Sequence, residues 1–251
     1  MPQPALAVTI ADPHGDLVGK LADLISRIGE RFSVLSVAAT NSTDERVFDL
    51  LRSAGARITT AKPNADAIGR HRREAVALAL KSGSASHVFY ADLDHVLRWI
   101  ENDAEELDAV IRRIQGADCT VVGRGPRSMA ALPRRLAETE RIVNEIFALT
   151  SGLYWDVMMA TRGLSRRAAK TIVTDCSVDT IGNDCAWPLF CAERGFSLDY
   201  VEAEGLTYRT NSDYAHDLSD SLDHDPRAWA MRVRLAAQHV EAMLPYMRKD
   251  I

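Results

Sequence analysis

The chain has 251 residues, 47% hydrophobic and 26% charged, with a formal net charge of −5. That is enough apolar material for one sizeable core, and the acidic balance argues against a general nucleic-acid surface. Cys119, Cys176, Cys185 and Cys191 form no Cys-x-x-Cys pair and lack a histidine at zinc-finger spacing, and no segment approaches the roughly 20 apolar residues of a membrane span; the expectation is a cytoplasmic protein with reduced thiols, neither secreted nor membrane-spanning.

Ala5 to Ile10 reads as a first buried strand, followed by a helix with Leu17, Leu21, Leu24, Ile25 and Ile28 on one face. Phe32 to Ala38 is a second strand. Ser42 and Glu45 have capping-box spacing before a short helix carrying Val47, Leu50, Leu51 and Ala54, which Gly55 ends. Arg57 to Ala61 is a third strand, and Ile68, Ala75, Val76, Ala79 and Leu80 mark the next helix. His87 to Ala91 is a fourth strand. Asp103 and Glu106 cap a helix whose Leu107, Val110, Ile111 and Ile114 face inward, and Cys119 to Gly123 is a fifth strand. This alternation predicts a mostly parallel, helix-covered sheet.

The second half is less regular. Arg124 to Pro133 reads as a loop, and Pro133 opens a helix bearing Leu136, Val143, Ile146 and Phe147. A strand over Tyr154 to Ala160, helices over Ser165 to Val173 and Trp187 to Arg194, and a last strand over Phe196 to Val201 follow. Tyr208 to Pro226 is polar and aperiodic, which suits a functional loop or lid. Ala228 to Met247 closes the chain as an amphipathic helix that suits packing on its own sheet or on a second subunit of a homo-oligomer.

Asp92-Leu93-Asp94 at the end of the fourth strand carries the most chemical information. Open α/β sheets bind ligands at the carboxyl ends of their strands. In an extended strand residues i and i+2 share a face, so both carboxylates would reach one ligand. Hard oxygen donors point to Mg²⁺ or Mn²⁺ with a phosphorylated substrate. The competing reading is that both residues cap the helix that follows. Ala11 and Asp12 after the first strand, and Thr40, Asn41 and Asp44 after the second, emerge on the same sheet edge and suit a nucleoside. Turn and cap chemistry would use the same residue types. Arg70 and Arg73 share a helical face, suited to diphosphate oxygens or to solvent.

Taken in order, these segments resemble the GT-A-fold nucleotide-sugar glycosyltransferases, family 2 and its dolichol-phosphate-mannose-synthase-like members above all, over roughly residues 5 to 205. Asn41-Ser42-Thr43-Asp44 is similar to that family's Asp-Gly-Ser-Thr-Asp segment, with Ala39 or Thr40 at its first acidic position. Asn64, Gly69-Arg70, Arg73 and Ala75 resemble its Asn-x-Gly…Arg…Ala stretch, Val122-Gly123-Arg124 its Val-Gly-Ser-Arg element, and Gly163-Leu164-Ser165-Arg166-Arg167-Ala168 its Gly…Ser-Arg-x-Ala turn. Asn183-Asp184 stands where the family has Glu-Asp.

The resemblance implies a single GT-A (Rossmann-like) domain with a nucleotide-sugar half over residues 1–125 and an irregular acceptor half over 126–251. It implies a metal-dependent transferase taking a nucleoside-diphosphate-sugar donor to a small-molecule or glycan acceptor, with Asp94 on the metal and Asp92 at the ribose and metal-bound waters. Asp184 would be the general base of an inverting reaction, or a helix cap. A C-terminal histidine ligates metal in some such enzymes, notably retaining ones, and His216 is placed better than His224. His95 would touch the metal's surroundings or the acceptor. Trp99 reads as core and Trp155 as core or a sugar platform. The alternatives are a non-catalytic nucleotide-sugar-binding protein on the same fold and a sugar nucleotidyltransferase; Ala11-Asp12-Pro13-His14-Gly15 is neither Gly-rich nor basic enough for the latter.

Overall fold

The computed structural model describes residues 2–81, 85–208 and 221–247. At its centre strands β1 (Ala5–Ile10), β2 (Val34–Thr40), β3 (Arg57–Ala61), β4 (His87–Asp92), β5 (Cys119–Arg124), β6 (Arg162–Ser165) and β7 (Leu198–Ala203) form one sheet in the order β3-β2-β1-β4-β6-β5-β7. All pairings are parallel except those of β6, which runs against β4 and β5. The helices are α1 (Val18–Gly29), α2 (Glu45–Ser53), α3 (Ile68–Leu80), α4 (Leu93–Arg113), α5 (Pro126–Ala130), α6 (Arg134–Ser151), α7 (Arg166–Asp175), α8 (Asn183–Glu193) and α9 (Pro226–Met243). Among the described residues no helix is long and apolar enough to cross a membrane.

Strand alternation sorts the core. Leu6 and Val8 face one side of β1, where they join Phe89, Ala91 and the apolar stripes of α1, α2 and α4. Ala5 and Ala7 face the other, with Val88, Tyr90 and residues of α3, α7 and α8. Because both faces are covered, the central strands are nearly continuous apolar runs, broken in β1 and β2 only by Thr9, Ser36 and the terminal Thr40, which is why the sequence reveals them. A third cluster, Val121, Val143, Phe147, Leu189 and Met243 among its members, holds α6, α8 and α9 against β5.

Four sequence expectations change. The N-cap of α2 is Asp44, which accepts from the Arg46 amide, and not Ser42. The helix capped by Asp103 is the second limb of α4: Asp103 is non-helical (φ −157°, ψ 84°) and accepts from the Glu106 amide, while a first limb begins at Leu93. The 124–133 segment includes the short helix α5. No strand forms over 154–160; the antiparallel strand is β6, and the Arg162 guanidinium donates to the Val157, Met159 and Thr161 carbonyls, fixing the irregular segment before it. A Cβ at Gly163 would overlap Ile114, so glycine lets α4's C-terminal end lie against β6.

Chain order reverses at β1, which has β2 on one side and β4 on the other. The crevice beyond the carboxyl ends of β1 and β4 is the topological switch point, where such sheets bind ligands.

Candidate functional site

Register places Thr9 of β1 beside Asp92 of β4. Thr9 Oγ1 and Tyr90 OH both donate to Asp92 Oδ1, each at 2.7 Å, and Arg72 Nη2 donates to Oδ2 at 3.2 Å. Burial alone would raise the Asp92 pKa; the Arg72 charge, His95 and the two hydroxyls overcome it and hold the carboxyl well below its ordinary range. β4 ends at Asp92 and α4 begins at Leu93, so the extended i, i+2 geometry expected for Asp92 and Asp94 is not what brings them together. They meet because the chain turns from strand to helix between them. Asp92 stands at the N-cap position but makes no capping bond with its side chain. Asp94 lies in the first turn, its side chain 42% exposed, and Arg98 one turn later donates to Asp94 Oδ2 at 2.6 Å and to the Tyr208 carbonyl.

Arg72 is the residue that joins the two halves of the site, and sequence reading passed it over for Arg70 and Arg73. It lies on the apolar stripe of α3 with Ile68, Ala75, Val76 and Ala79, and a cation on such a stripe is the signal that identifies it. It is 4% exposed. Its Nη1 donates to Asp184 Oδ1 at 2.7 Å and Asn183 Oδ1 at 3.0 Å, its Nη2 to Asp92, and its guanidinium carbon sits 5.8 Å from the Tyr90 ring centroid. Burial works against its charge, but Asp184 and Asp92 more than compensate and push its pKa well up. Gly69 and Gly182 make this possible: a Cβ on Gly69 would overlap the Thr180 carbonyl, and one on Gly182 the Gln238 carbonyl, so the loop before α8 fits between α3 and α9.

Asp184 is 3% exposed, and both oxygens have partners: Arg72 on Oδ1 and His239 Nε2, 3.3 Å away, on Oδ2. Burial would raise its pKa; Arg72 and then His239 lower it below the ordinary carboxylate range. A general base needs affinity for a proton and access to a hydroxyl. The structure places this carboxylate at the wall of the second cavity, where its partners are Arg72 and His239; it anchors the guanidinium, and the general base expected there remains a proposal. It is not a cap, because Gly182 occupies that position. His239, whose Nδ1 lies 2.7 Å from the Leu235 carbonyl, was also passed over by sequence reading.

Two cavities open around this core. The first, about 650 Å³, is lined by Thr9 to Asp12, Ala38, Thr40, Asn64, Ile68 and His71 among others. The second, about 510 Å³, is lined by His95, Arg98, Arg124, Leu132, Leu136, Tyr208 and Arg232. Arg72, Asp92, Asp94 and Ile181 line both. Behind the second cavity Arg124 is paired with Asp156 (2.7 Å) and Glu140 (2.6 Å), and Arg232 with Glu140 (2.6 Å).

Of the residues expected to hold a nucleotide, Ala11, Asp12, Thr40 and Asp92 line the first cavity, and Asn41, Asp44 and Arg70 do not. Asp12 also accepts from the Asp16 and Leu17 amides, both at 2.9 Å. Asp44 caps α2 and pairs with Arg46, whose hydrogen bonds lower its pKa to about 2. Asn41 is exposed, and its N–H bonds the Ala61 carbonyl. Arg70 is exposed, while Arg73 binds the Val178 carbonyl and Asp179. Trp99 is core and donates to Glu106 at 2.8 Å; Trp155 stacks on Tyr200 with centroids 5.2 Å apart. His216 lies outside the described residues, and His224 is exposed.

Among the described residues no group of three His, Cys, Asp or Glu side chains is arranged to hold a metal. Asp94 nonetheless fits a hard cation that arrives with phosphate oxygens, since such ions are held by one or two carboxylates plus substrate and water. Its Oδ1 accepts no hydrogen bond from the described residues.

No protein-family model and no curated protein matches the sequence. Solved structures match in fold. One, described as a mycobacterial protein, has 13% identity and a TM-score of 0.63 over 99% of this chain and 76% of its own. Glucosyl-3-phosphoglycerate synthase from Mycobacterium tuberculosis in complex with UDP has 14% identity and a TM-score of 0.52, covering 98% of this chain and 82% of its own. The same synthase with Mn²⁺, UDP and glucosyl-3-phosphoglycerate gives 12% and 0.51, with 98% and 82% covered. At these identities the likeness establishes the fold: the mostly parallel, helix-covered sheet is the GT-A arrangement.

Proposed function

We propose that the protein is a glycosyltransferase that moves a sugar from a nucleoside-diphosphate donor to a small acceptor. The single observation that carries this is the sharing of Arg72, Asp92, Asp94 and Ile181 by two cavities. A group-transfer enzyme needs two substrates to meet at one wall with their reacting atoms in contact. The first cavity, at the switch point, has the size of a nucleotide-sugar site. Its Asp92 end would receive the ribose and diphosphate, and Asp94 would hold Mg²⁺ or Mn²⁺. That ion supplies Lewis-acid neutralisation of the departing diphosphate. Arg72 fixes Asp92 in its ionised form and keeps the wall rigid.

The second cavity would take the acceptor; Arg124 and Arg232 in its lining are already paired with Asp156 and Glu140, so a carboxylate or phosphate on the acceptor would draw on Arg98, once that guanidinium leaves Asp94. The product glucosyl-3-phosphoglycerate in the synthase of similar fold is an acid of that kind. Asp184 lines the second cavity and is held by Arg72 and His239; as the base of an inverting reaction it would take the acceptor proton there, and the anomeric configuration of the product decides between inversion and retention.

The test is a thermal-shift panel of UDP-, GDP- and dTDP-sugars with and without Mn²⁺, followed by mass spectrometry of donor incubated with phosphorylated and carboxylated hydroxy acids. A donor at 100 times its dissociation constant adds about 2.7 kcal/mol to folded-state stability. A metal-dependent shift with turnover supports transfer. A shift without turnover would make the protein a binding module, and no shift with any donor overturns the reading.

A further inference from the structure

Both acidic residues of the shared wall already carry a guanidinium, but the two cations differ in what they are free to do. Arg72 is buried and divided between Asp92, Asp184 and Asn183. Moving it would strand charges out of water. Arg98 lies on the same helix as Asp94, at i, i+4. Its side chain is 18% exposed and lines only the second cavity. Its side-chain rotations, which also break its bond to the Tyr208 carbonyl, are enough to release Asp94 into the first cavity with the backbone in place.

Arg98 therefore stands in competition with any ion at Asp94. A divalent cation bound to that carboxylate would share it with a second positive charge within contact distance, inside the Debye length. A cation accompanied by a diphosphate is different. Its phosphate oxygens supply ligands and negative charge, and they give the displaced guanidinium a partner.

We propose that Arg98 holds Asp94 against free divalent cations, so that the site takes its metal only together with the diphosphate of the donor. The inference rests on the reading of Asp94 as the metal's ligand. Arg98 is on this account a specificity residue: it makes cation binding conditional on the donor, and the donor's arrival frees a guanidinium on the acceptor side of the wall.

Equilibrium dialysis of the full chain against Mn²⁺, with and without inorganic pyrophosphate, tests it without reference to the base or to activity. Wild type should retain Mn²⁺ at least about tenfold better with pyrophosphate than without. Arg98→Gln and Arg98→Met, which remove the charge, should bind Mn²⁺ alone at least about tenfold more tightly than wild type. Arg98→Lys, which keeps the charge, should behave like wild type. Each variant's thermal transition verifies that it is folded, and the methionine variant preserves the aliphatic stem should the glutamine variant fail. Unchanged or weaker Mn²⁺ binding in the folded neutral variants overturns the proposal, as does wild-type binding that is equal with and without pyrophosphate. Asp94→Asn separates the two levels. If it loses Mn²⁺ while Arg98→Gln stays at the wild-type value, only the role of Arg98 fails; if it binds Mn²⁺ as wild type does, the metal reading of Asp94 fails first.

Discussion

Arg72 of α3 and Asp184 of α8 are joined at 2.7 Å across 112 residues of sequence. The bond ties α3 to α8 at the point where the two cavities meet. Removing one partner of a buried pair leaves the other uncompensated, at a cost of about 3–5 kcal/mol. Arg72→Met should lower unfolding free energy by that amount in urea titrations. Adding Asp184→Leu to it should recover part of the loss, because the stranded carboxylate is gone. A single-variant loss under about 1 kcal/mol would show that the pair does not organise the wall.

The same pair sets the acid side of the stability profile. Asp92 and Asp184 have folded pKa values below their ordinary ones, chiefly because Arg72 outweighs burial. Between the folded and unfolded values the unfolded chain binds more protons, so stability rises with pH there. The contribution is complete above the unfolded carboxylate value of about 4 and is lost as pH falls through the folded values. The contribution of these two carboxylates should therefore stay level from pH 7 to about pH 5 and be lost below about pH 4, on top of a smaller decline below about pH 6.5 from His87, whose pKa burial lowers. In Arg72→Met the largest opposing charge is gone while His95, the two hydroxyls and His239 remain, so both folded pKa values rise and the loss of stability below about pH 4 should be smaller than in wild type. Urea unfolding across this range measures both.

How far the sequence reveals this arrangement depends on which signal each residue carries. β1 and β3 have the bounds read from the sequence, Ala5–Ile10 and Arg57–Ala61. β6 was missed because it opens on Arg162-Gly163, chosen for a carbonyl cluster and a close approach to Ile114 and not for strand propensity. The Asp92–Asp94 segment stands out in the sequence as a candidate site because it ends a buried strand. Its geometry does not, because the strand-to-helix turn depends on how α4 packs. Arg70, Arg72 and Arg73 look equivalent as residue types, and only position on the apolar stripe separates the one that matters. His239 carries the same signal, between Leu235 and the buried Ala242 and Met243. Asp184 was singled out by chain order, but its pairing was not legible, because its two partners come from α3 and α9 and neither is near it in sequence.

Asp94 offers the opposite balance of effects from Arg72. Its side chain is 42% exposed, and its i, i+4 pair with Arg98 is of the kind worth about 0.3–0.5 kcal/mol. Asp94→Asn should thus unfold within about 1 kcal/mol of wild type. It should lose the metal-dependent part of any donor-induced thermal shift, and transfer should fall by about a thousandfold, as removal of several kcal/mol of Lewis-acid stabilisation implies. A large stability loss without a change in metal dependence would make Asp94 a structural residue.

The division of labour between the cavities can be tested by filling one of them. Leu136 of α6 lines the second cavity and not the first, and it is only partly buried. Leu136→Trp adds bulk where the acceptor is placed and leaves Arg72, Asp92 and Asp94 untouched. Because the side chain is not locked in a close-packed core, the destabilisation should stay within the 1–3 kcal/mol typical of overpacking. The donor-induced thermal shift should match wild type, since no wall of the first cavity changes. Transfer to acceptor should fall by at least about a hundredfold, the scale expected when a reacting group is displaced by an ångström or so. Slow hydrolysis of the donor, which needs only water in the second cavity, should decline less than transfer does. Loss of the donor shift with acceptor binding intact would mean that the assignments of the two cavities must be exchanged.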